Sequence, residues 1–139
     1  MLNKTKNRRE MKKIVKMALI ALILTSCDPL FHDDFIIMNN CDEYINVTII
    51  FANKDEKSFK IKPRTEVLIF SEEWVGGKSS PEKIDYIFKE ITVSCNDNTS
   101  KINYVDHKLW KKEDIKSSKR FAYYTDVKYY LYVNLEDFE

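Results

Sequence analysis

Glycine is almost missing from this chain. Only Gly76 and Gly77 occur among 139 residues, so neither a phosphate-cradling loop nor a dinucleotide-binding fingerprint can be written anywhere in it. Histidine is as scarce, and His32 and His107 lie too far apart for an HExxH pair. The three cysteines, Cys27, Cys41 and Cys95, have no CxxC spacing, which leaves no recognisable zinc or iron–sulfur site. The one unbroken apolar run, residues 17–24, is much shorter than the ~20 residues a spanning helix needs. Nucleotide-binding folds of those kinds are excluded, and the sequence calls for no cofactor and no metal. What remains is a length that suits one ordinary domain.

The near-neutral charge of +1 joins two unlike parts. Residues 1–26 hold seven Lys/Arg and a single acid, Glu10, for a charge of +6. That leaves 16 of the 23 basic and 21 of the 22 acidic residues to everything from Cys27 onward, a charge of −5. A basic start, the apolar run Met17-Ala18-Leu19-Ile20-Ala21-Leu22-Ile23-Leu24 and the small residues Thr25-Ser26 make up the parts of a secretion signal. The competing reading, an amino-terminal helix of a cytosolic protein, explains neither the flanking lysines nor a cysteine at position 27. Met11-Lys12-Lys13 is a more natural start than Met1, which makes residues 1–10 an upstream extension of the reading frame.

Leu24-Thr25-Ser26-Cys27 resembles the lipobox of bacterial lipoproteins. The resemblance implies diacylglyceryl transfer to the Cys27 thiol, cleavage before it and a membrane anchor of two or three acyl chains, each buried methylene contributing ~0.8 kcal/mol. It divides the chain into a signal peptide (1–26), an acidic tether (27–34) and a folded domain (35–139). Acidic residues after the cysteine, here Asp28, Asp33 and Asp34, resemble the surface-export signal of Bacteroidetes-type lipoproteins. His32 beside Asp33 and Asp34 has metal-ligating chemistry, but a solvated spacer lacks the fixed geometry of a site. In such an envelope compartment a Cys41–Cys95 disulfide is permitted; it would close a loop of about 55 residues and stabilise by roughly 4 kcal/mol. The alternative is two separate buried thiols.

The domain reads as strands. Residues 35–38 form an apolar run ended by Asn39-Asn40, and Ile45, Val47, Ile49 and Phe51 alternate at the period of a half-buried strand. Strands are expected again at 59–61, 66–70 and 91–95, with 96–99 turning the last into a hairpin partner at 101–104. Residues 74–80 read as the longest loop. Ser80 is placed to cap a short helix with Pro81 at its first position, and Asp106 to cap another reaching Ile115. A closing strand covers 128–135, with Tyr129, Leu131, Val133 and Leu135 on one face and Tyr130 and Tyr132 on the other. All 18 aromatics follow Cys27. The expected fold is all-β, an antiparallel β-sandwich, immunoglobulin-like or similar, with one or two short helical segments.

Asn39-Asn40, Ile61-Lys62-Pro63, Trp74, Ile91-x-Val93, Trp110, Tyr130-x-Tyr132 and Leu135-Glu136-Asp137 together resemble the small lipoproteins common in Bacteroidetes-type bacteria, with Arg64 at a turn where glycine is expected. The resemblance carries over no catalytic residue. Three features bear on function directly. Asp106-His107, with Cys95 as a nucleophile, is the one catalytic set the sequence offers, but Cys95 sits on an apolar strand face and Asp106 has a cap to make. Residues 108–120 carry a local +4, either a solvated face or a patch for membrane phosphates or an acidic partner, and nucleic acid is not an expected partner outside the cytoplasm. Tyr123, Tyr124, Tyr129, Tyr130 and Tyr132 crowd the carboxy-terminal region. Tyr130 and Tyr132 are the expected binding surface, for a protein or a glycan, unless they pack beneath a neighbouring element. The function that follows is a non-enzymatic interaction module, anchored through Cys27 in the cell envelope at the outer membrane or cell surface. The alternatives are an immunity-type lipoprotein that neutralises a toxin and a small envelope hydrolase.

Overall fold

The computed structural model describes residues 30–119 and 122–139, together with Met11, Lys13 and residues 15–17; the side chains of 116–119 and 122–124 stand outside that description. Eight strands form two four-stranded sheets. The first sheet contains β1 (Leu30–Asn39), β4 (Glu66–Val75), β7 (Trp110–Lys119) and β8 (Ala122–Val133), in the order β4-β1-β8-β7. The second contains β2 (Ile45–Phe51), β3 (Glu56–Ile61), β5 (Phe88–Cys95) and β6 (Asn98–Thr99), in the order β3-β2-β5-β6. The all-β sandwich expected from the alternating pattern is the fold the chain adopts, with one departure: β1 and β8 run parallel at the centre of the first sheet. Parallel neighbours need a long connection, and here nearly the whole domain lies between them.

The core is the set of inward residues of both sheets. Ile45, Val47 and Ile49 of β2 oppose Ile91, Val93 and Cys95 of β5, all buried, as the period-two pattern demands. From the first sheet, Phe35 stacks on Tyr129 at 5.0 Å and meets Phe88 and Trp110 edge-on at 5.4 and 6.0 Å. The Phe35–Phe88 contact crosses from sheet to sheet, while Tyr129 and Trp110 pack beside Phe35 on the inner face of the first sheet, and together the rings fill the space two twisted sheets leave between them. Tyr129, Leu131 and Val133 line the core, but Leu135, expected to extend that row, is exposed in a 3₁₀ turn at Leu135–Phe138.

Several local expectations are corrected. Residues 30–34 are not tether: β1 begins at Leu30, and Asp33 points inward in phase with Phe35 and Ile37, fully buried. Its carboxylate is held by the Trp74 indole N–H at 2.9 Å, the Ser79 hydroxyl at 2.8 Å and Lys83 Nζ at 3.6 Å. Trp74 belongs to β4, not to a loop, and stacks on Phe31 at 4.6 Å with Lys83 Nζ 3.3 Å over its ring. The hairpin after Cys95 forms, but its second strand is only Asn98–Thr99, and 101–103 have no regular structure because Tyr104 turns inward to pack in the core. Asp106 does cap, accepting from Lys108 N at 3.0 Å, yet the helix is a single 3₁₀ turn, His107–Leu109. From Trp110 the chain pairs with β8 instead. At Ser80 the cap forms with Pro81 next to it, leading through a 3₁₀ turn (Pro81–Lys83) into α1 (Ile84–Ile87). Arg64 occupies the left-handed region at φ 55°, where glycine was expected, and its guanidinium pairs with Asp42 at 2.8 Å.

Candidate functional site on the outer face of the first sheet

The outward faces of the two sheets differ in kind. On the second sheet the register lines up Lys60, Asn46 and Ser94 in one row, Ser58, Thr48 and Thr92 in the next, and Glu56, Ile50 and Glu90 in the third. That is a face built for water. On the first sheet one row reads Leu68, Ile36, Tyr130 and Lys111, and the adjoining row reads Glu66, Met38 and Tyr132. An apolar and aromatic band therefore crosses β4, β1 and β8, bordered by Lys111 at one side and Glu66 at the other.

Period-two alternation places this band. Phe35 and Ile37 go to the core, so Ile36 and Met38 must face out, and the bulge between Phe35 and Ile36 brings Leu68 opposite Ile36. Ile36 is only 5% exposed although it does not belong to the core cluster, so it is covered from outside by its neighbours, while Leu68 stays 52% exposed. The Tyr130 and Tyr132 rings stack on each other, centroids 6.1 Å apart and planes 26° from parallel. Both are partly exposed. Stacking fixes their rotamers before any ligand arrives and leaves polar tips beside apolar bodies. Beside them the Glu113 carboxylate binds Lys111 Nζ at 3.2 Å and raises the pKa of that ammonium through the hydrogen bond.

Farther along the same face the rows become ionic: Ser71, Asp34, Lys128 and Glu113, then Glu73, His32, Asp126 and Ile115. His32 Nε2 lies 3.1 Å from Asp34, and its Nδ1 faces Glu73 at 3.5 Å without hydrogen-bond geometry. His32, Asp34 and Glu73 form a polar cluster across β1 and β4, and no group of three or more His, Cys, Asp or Glu that could hold a metal ion is found among the described residues.

The remaining sequence-predicted residues are dispersed. Cys27, the expected acylation position, lies outside the described residues, as do the side chains of Tyr123 and Tyr124. Cys41 and Cys95 are buried free thiols, and burial raises the pKa of both. The Asp106-His107-Cys95 set is not assembled: His107 Nδ1 faces Asp85 at 3.3 Å, Asp106 is occupied by its cap, and Cys95 lies in the core. His107 and Asp85 do border an open depression of about 390 Å³ with Asn103 and Lys108. No serine, threonine or cysteine lines it. The basic segment 108–119 is mostly strand, where Lys111 and Lys112 pair with Glu113 and Asp114. Sequence reasoning reached Tyr130 and Tyr132 but not Ile36, Met38 and Leu68, whose membership depends on the parallel β1–β8 register and a bulge. Among the described residues no helix is long and apolar enough to cross a membrane. Comparison of the chain with protein-family models, with curated proteins and with solved structures finds no match.

Proposed function

We propose that this protein is a lipid-anchored, non-enzymatic interaction module of the bacterial cell envelope, held by acyl chains on Cys27 and recognising a protein partner with the outer face of its first sheet. The observation that carries the recognition half is the contrast between the two outward faces, one polar but for Ile50, the other crossed by Leu68, Ile36, Tyr130, Met38 and Tyr132. A band of this kind brings no benefit to a lone domain in water, whereas rigid aromatic anchors with a charged rim suit an interface. Lys111 and Glu66 at opposite borders supply orientation. A protein surface fits better than a sugar ring, because the two tyrosines stack on each other and do not lie side by side as one platform. The leader and Leu24-Thr25-Ser26-Cys27 support the anchor.

The test compares three proteins carrying the same affinity tag in the native envelope: wild type, the double variant Tyr130→Ala/Tyr132→Ala, and Thr48→Ala/Thr92→Ala on the opposite sheet. A partner cross-linked by wild type and the threonine variant but lost from the tyrosine variant supports the assignment. Equal capture by all three, with the tyrosine variant folded by circular dichroism, refutes it.

A further inference from the structure

The rows on the outer face of the first sheet follow an order that a single copy of the chain does not explain. β1 and β8 are its two central strands, with β4 outside β1 and β7 outside β8. Along β1 the outward residues read His32, Asp34, Ile36 and Met38, and level with them along β8 stand Asp126, Lys128, Tyr130 and Tyr132. Each position on one central strand thus has on the other a residue of complementary chemistry: imidazole with carboxylate, carboxylate with ammonium, and apolar with aromatic twice over. All but Ile36 are partly exposed.

A two-fold rotation about a line parallel to these strands and midway between them lays β1 of one copy over β8 of another and β4 over β7, and it keeps every row level with itself. Asp34 then faces the second copy's Lys128, His32 faces Asp126, Ile36 faces Tyr130 and Met38 faces Tyr132, and each contact occurs twice. On the outer strands Leu68 meets the stem of the second copy's Lys111, Ser71 meets Glu113, and Glu73 falls opposite Ile115 at the rim. The second sheet has no such fit to itself: the same rotation about β2 sets Glu56 against the second copy's Glu90.

We infer that the partner recognised by this face is a second copy of the chain, docked sheet on sheet about that axis; the inference rests on the recognition proposed above. Sheets packed face to face keep their strands within about 30° of one another, so the rows near the axis stay in register. The face spans about 20 Å along and across the strands, on the order of 1,000 Å² over both copies, at the small end of specific interfaces. Its orientation compensates for its size. Because the axis runs along the strands, β1 starts at the same end in both copies, and each chain arrives there from Cys27, three residues before Leu30. Two copies acylated at Cys27 therefore meet in one membrane, where confinement raises their effective concentration. An axis across the strands would send the two starts of β1 to opposite ends.

The test exchanges charge between copies. The full chain, carrying one of two affinity tags, is co-expressed in pairs and solubilised with detergent micelles in excess, and capture through one tag is scored by the other. Wild-type copies should capture each other. Asp34→Lys paired with itself, and Lys128→Asp paired with itself, set like charges together at two points and should lower capture at least tenfold, as should Tyr130→Ala/Tyr132→Ala. Asp34→Lys paired with Lys128→Asp restores both opposite-charge contacts, and capture should return to the wild-type level; a role confined to one copy predicts no such rescue. His32→Asp with Asp126→Lys repeats the exchange one row along, and decides the matter if circular dichroism shows either variant of the first pair unfolded. Wild-type copies that do not capture each other, capture unchanged by every variant, or capture lowered with no rescue in the mixed pair each overturn the inference. Recognition by this face then stands if the tyrosine variant loses a different cross-linked protein, and falls if it loses none.

Discussion

Replacing Asn39 with alanine should cost the domain about 3 kcal/mol, although the residue is polar and touches no ligand. Asn39 is fully buried at the end of β1. Its amide nitrogen donates to the carbonyls of Glu43 at 2.8 Å, Lys62 at 3.1 Å and Ile61 at 3.2 Å, and its oxygen accepts from Cys41 N at 2.9 Å. Two amide hydrogens thus serve three carbonyls, and one side chain ties the first sheet to the β1–β2 loop and the β3–β4 turn. Alanine leaves the buried Cys41 N–H and Ile61 carbonyl without these partners, at ~1–3 kcal/mol each, while water partly replaces the bonds to Glu43 and Lys62. Against a domain stability of ~5–15 kcal/mol the loss is large, and it lowers Tm by more than ~10 °C. Asn40→Ala is the control: its amide makes one half-buried bond to Asn134 at 3.0 Å, worth ~1 kcal/mol. Asn39→Asp keeps the acceptor for Cys41 N but aims a carboxylate at three carbonyls, so it should fall with alanine. Urea midpoints at unchanged m-value measure all three. The reasoning is refuted if Asn39→Ala and Asn40→Ala lose equal stability, or if Asn39→Asp unfolds like wild type.

Asp33→Ala removes the acceptor shared by Trp74, Ser79 and Lys83, and should destabilise by about 3 kcal/mol with a red-shifted Trp74 fluorescence; an unshifted spectrum at wild-type stability would contradict the buried role. Burial pushes the Tyr129 hydroxyl up to about 12 and raises that of Tyr104 further, whereas both titrate near ~10 in the unfolded chain. Between those values the folded state keeps protons that the unfolded state releases, so this stability is fully present below about pH 10 and is lost as pH rises beyond it. Tyrosinate absorbance of two residues should appear only together with loss of near-ultraviolet circular dichroism; complete titration in a folded protein would count against it. Cys41 and Cys95, buried with raised pKa, should resist a thiol reagent in the native state, and rapid labelling before unfolding would show that the core around them opens.

Most of the strand pattern was legible because one-sided burial writes itself as period two. Ile45, Val47, Ile49 and Phe51 in β2, Ile91, Val93 and Cys95 in β5, and Tyr129, Leu131 and Val133 in β8 all alternate and all face the core. The pattern failed where distant partners decide. Asp33 reads as solvated because its charge is local information, while its compensation comes from Trp74, Ser79 and Lys83, at least 41 residues away. Residues 110–115 read as helix because a correct cap at Asp106 precedes them, but β8 supplies a complete ladder of backbone partners that one helical turn cannot match.

The candidate site shows the same division more sharply. Tyr130 and Tyr132 could be assigned to the outer face from their own strand, since that needs only the parity of Tyr129 and Leu131. Whether they form a surface or two isolated rings depends on what stands beside them. The parallel register brings Ile36 next to Tyr130 and Met38 next to Tyr132, and the bulge after Phe35 adds Leu68. Without the bulge, regular one-for-one pairing from the Phe35–Phe70 pair would set Ile36 opposite Ile69, and Leu68 would drop out of the row. The proposed recognition face thus rests on a local irregularity in one strand and a pairing between the first and last strands, and neither leaves a trace in hydrophobic periodicity. The same parallel pairing places the amino-terminal end of β1 beside the β7–β8 hairpin. One topological choice therefore sets both the aromatic band on the outer face of the first sheet and the neighbours of the start of β1.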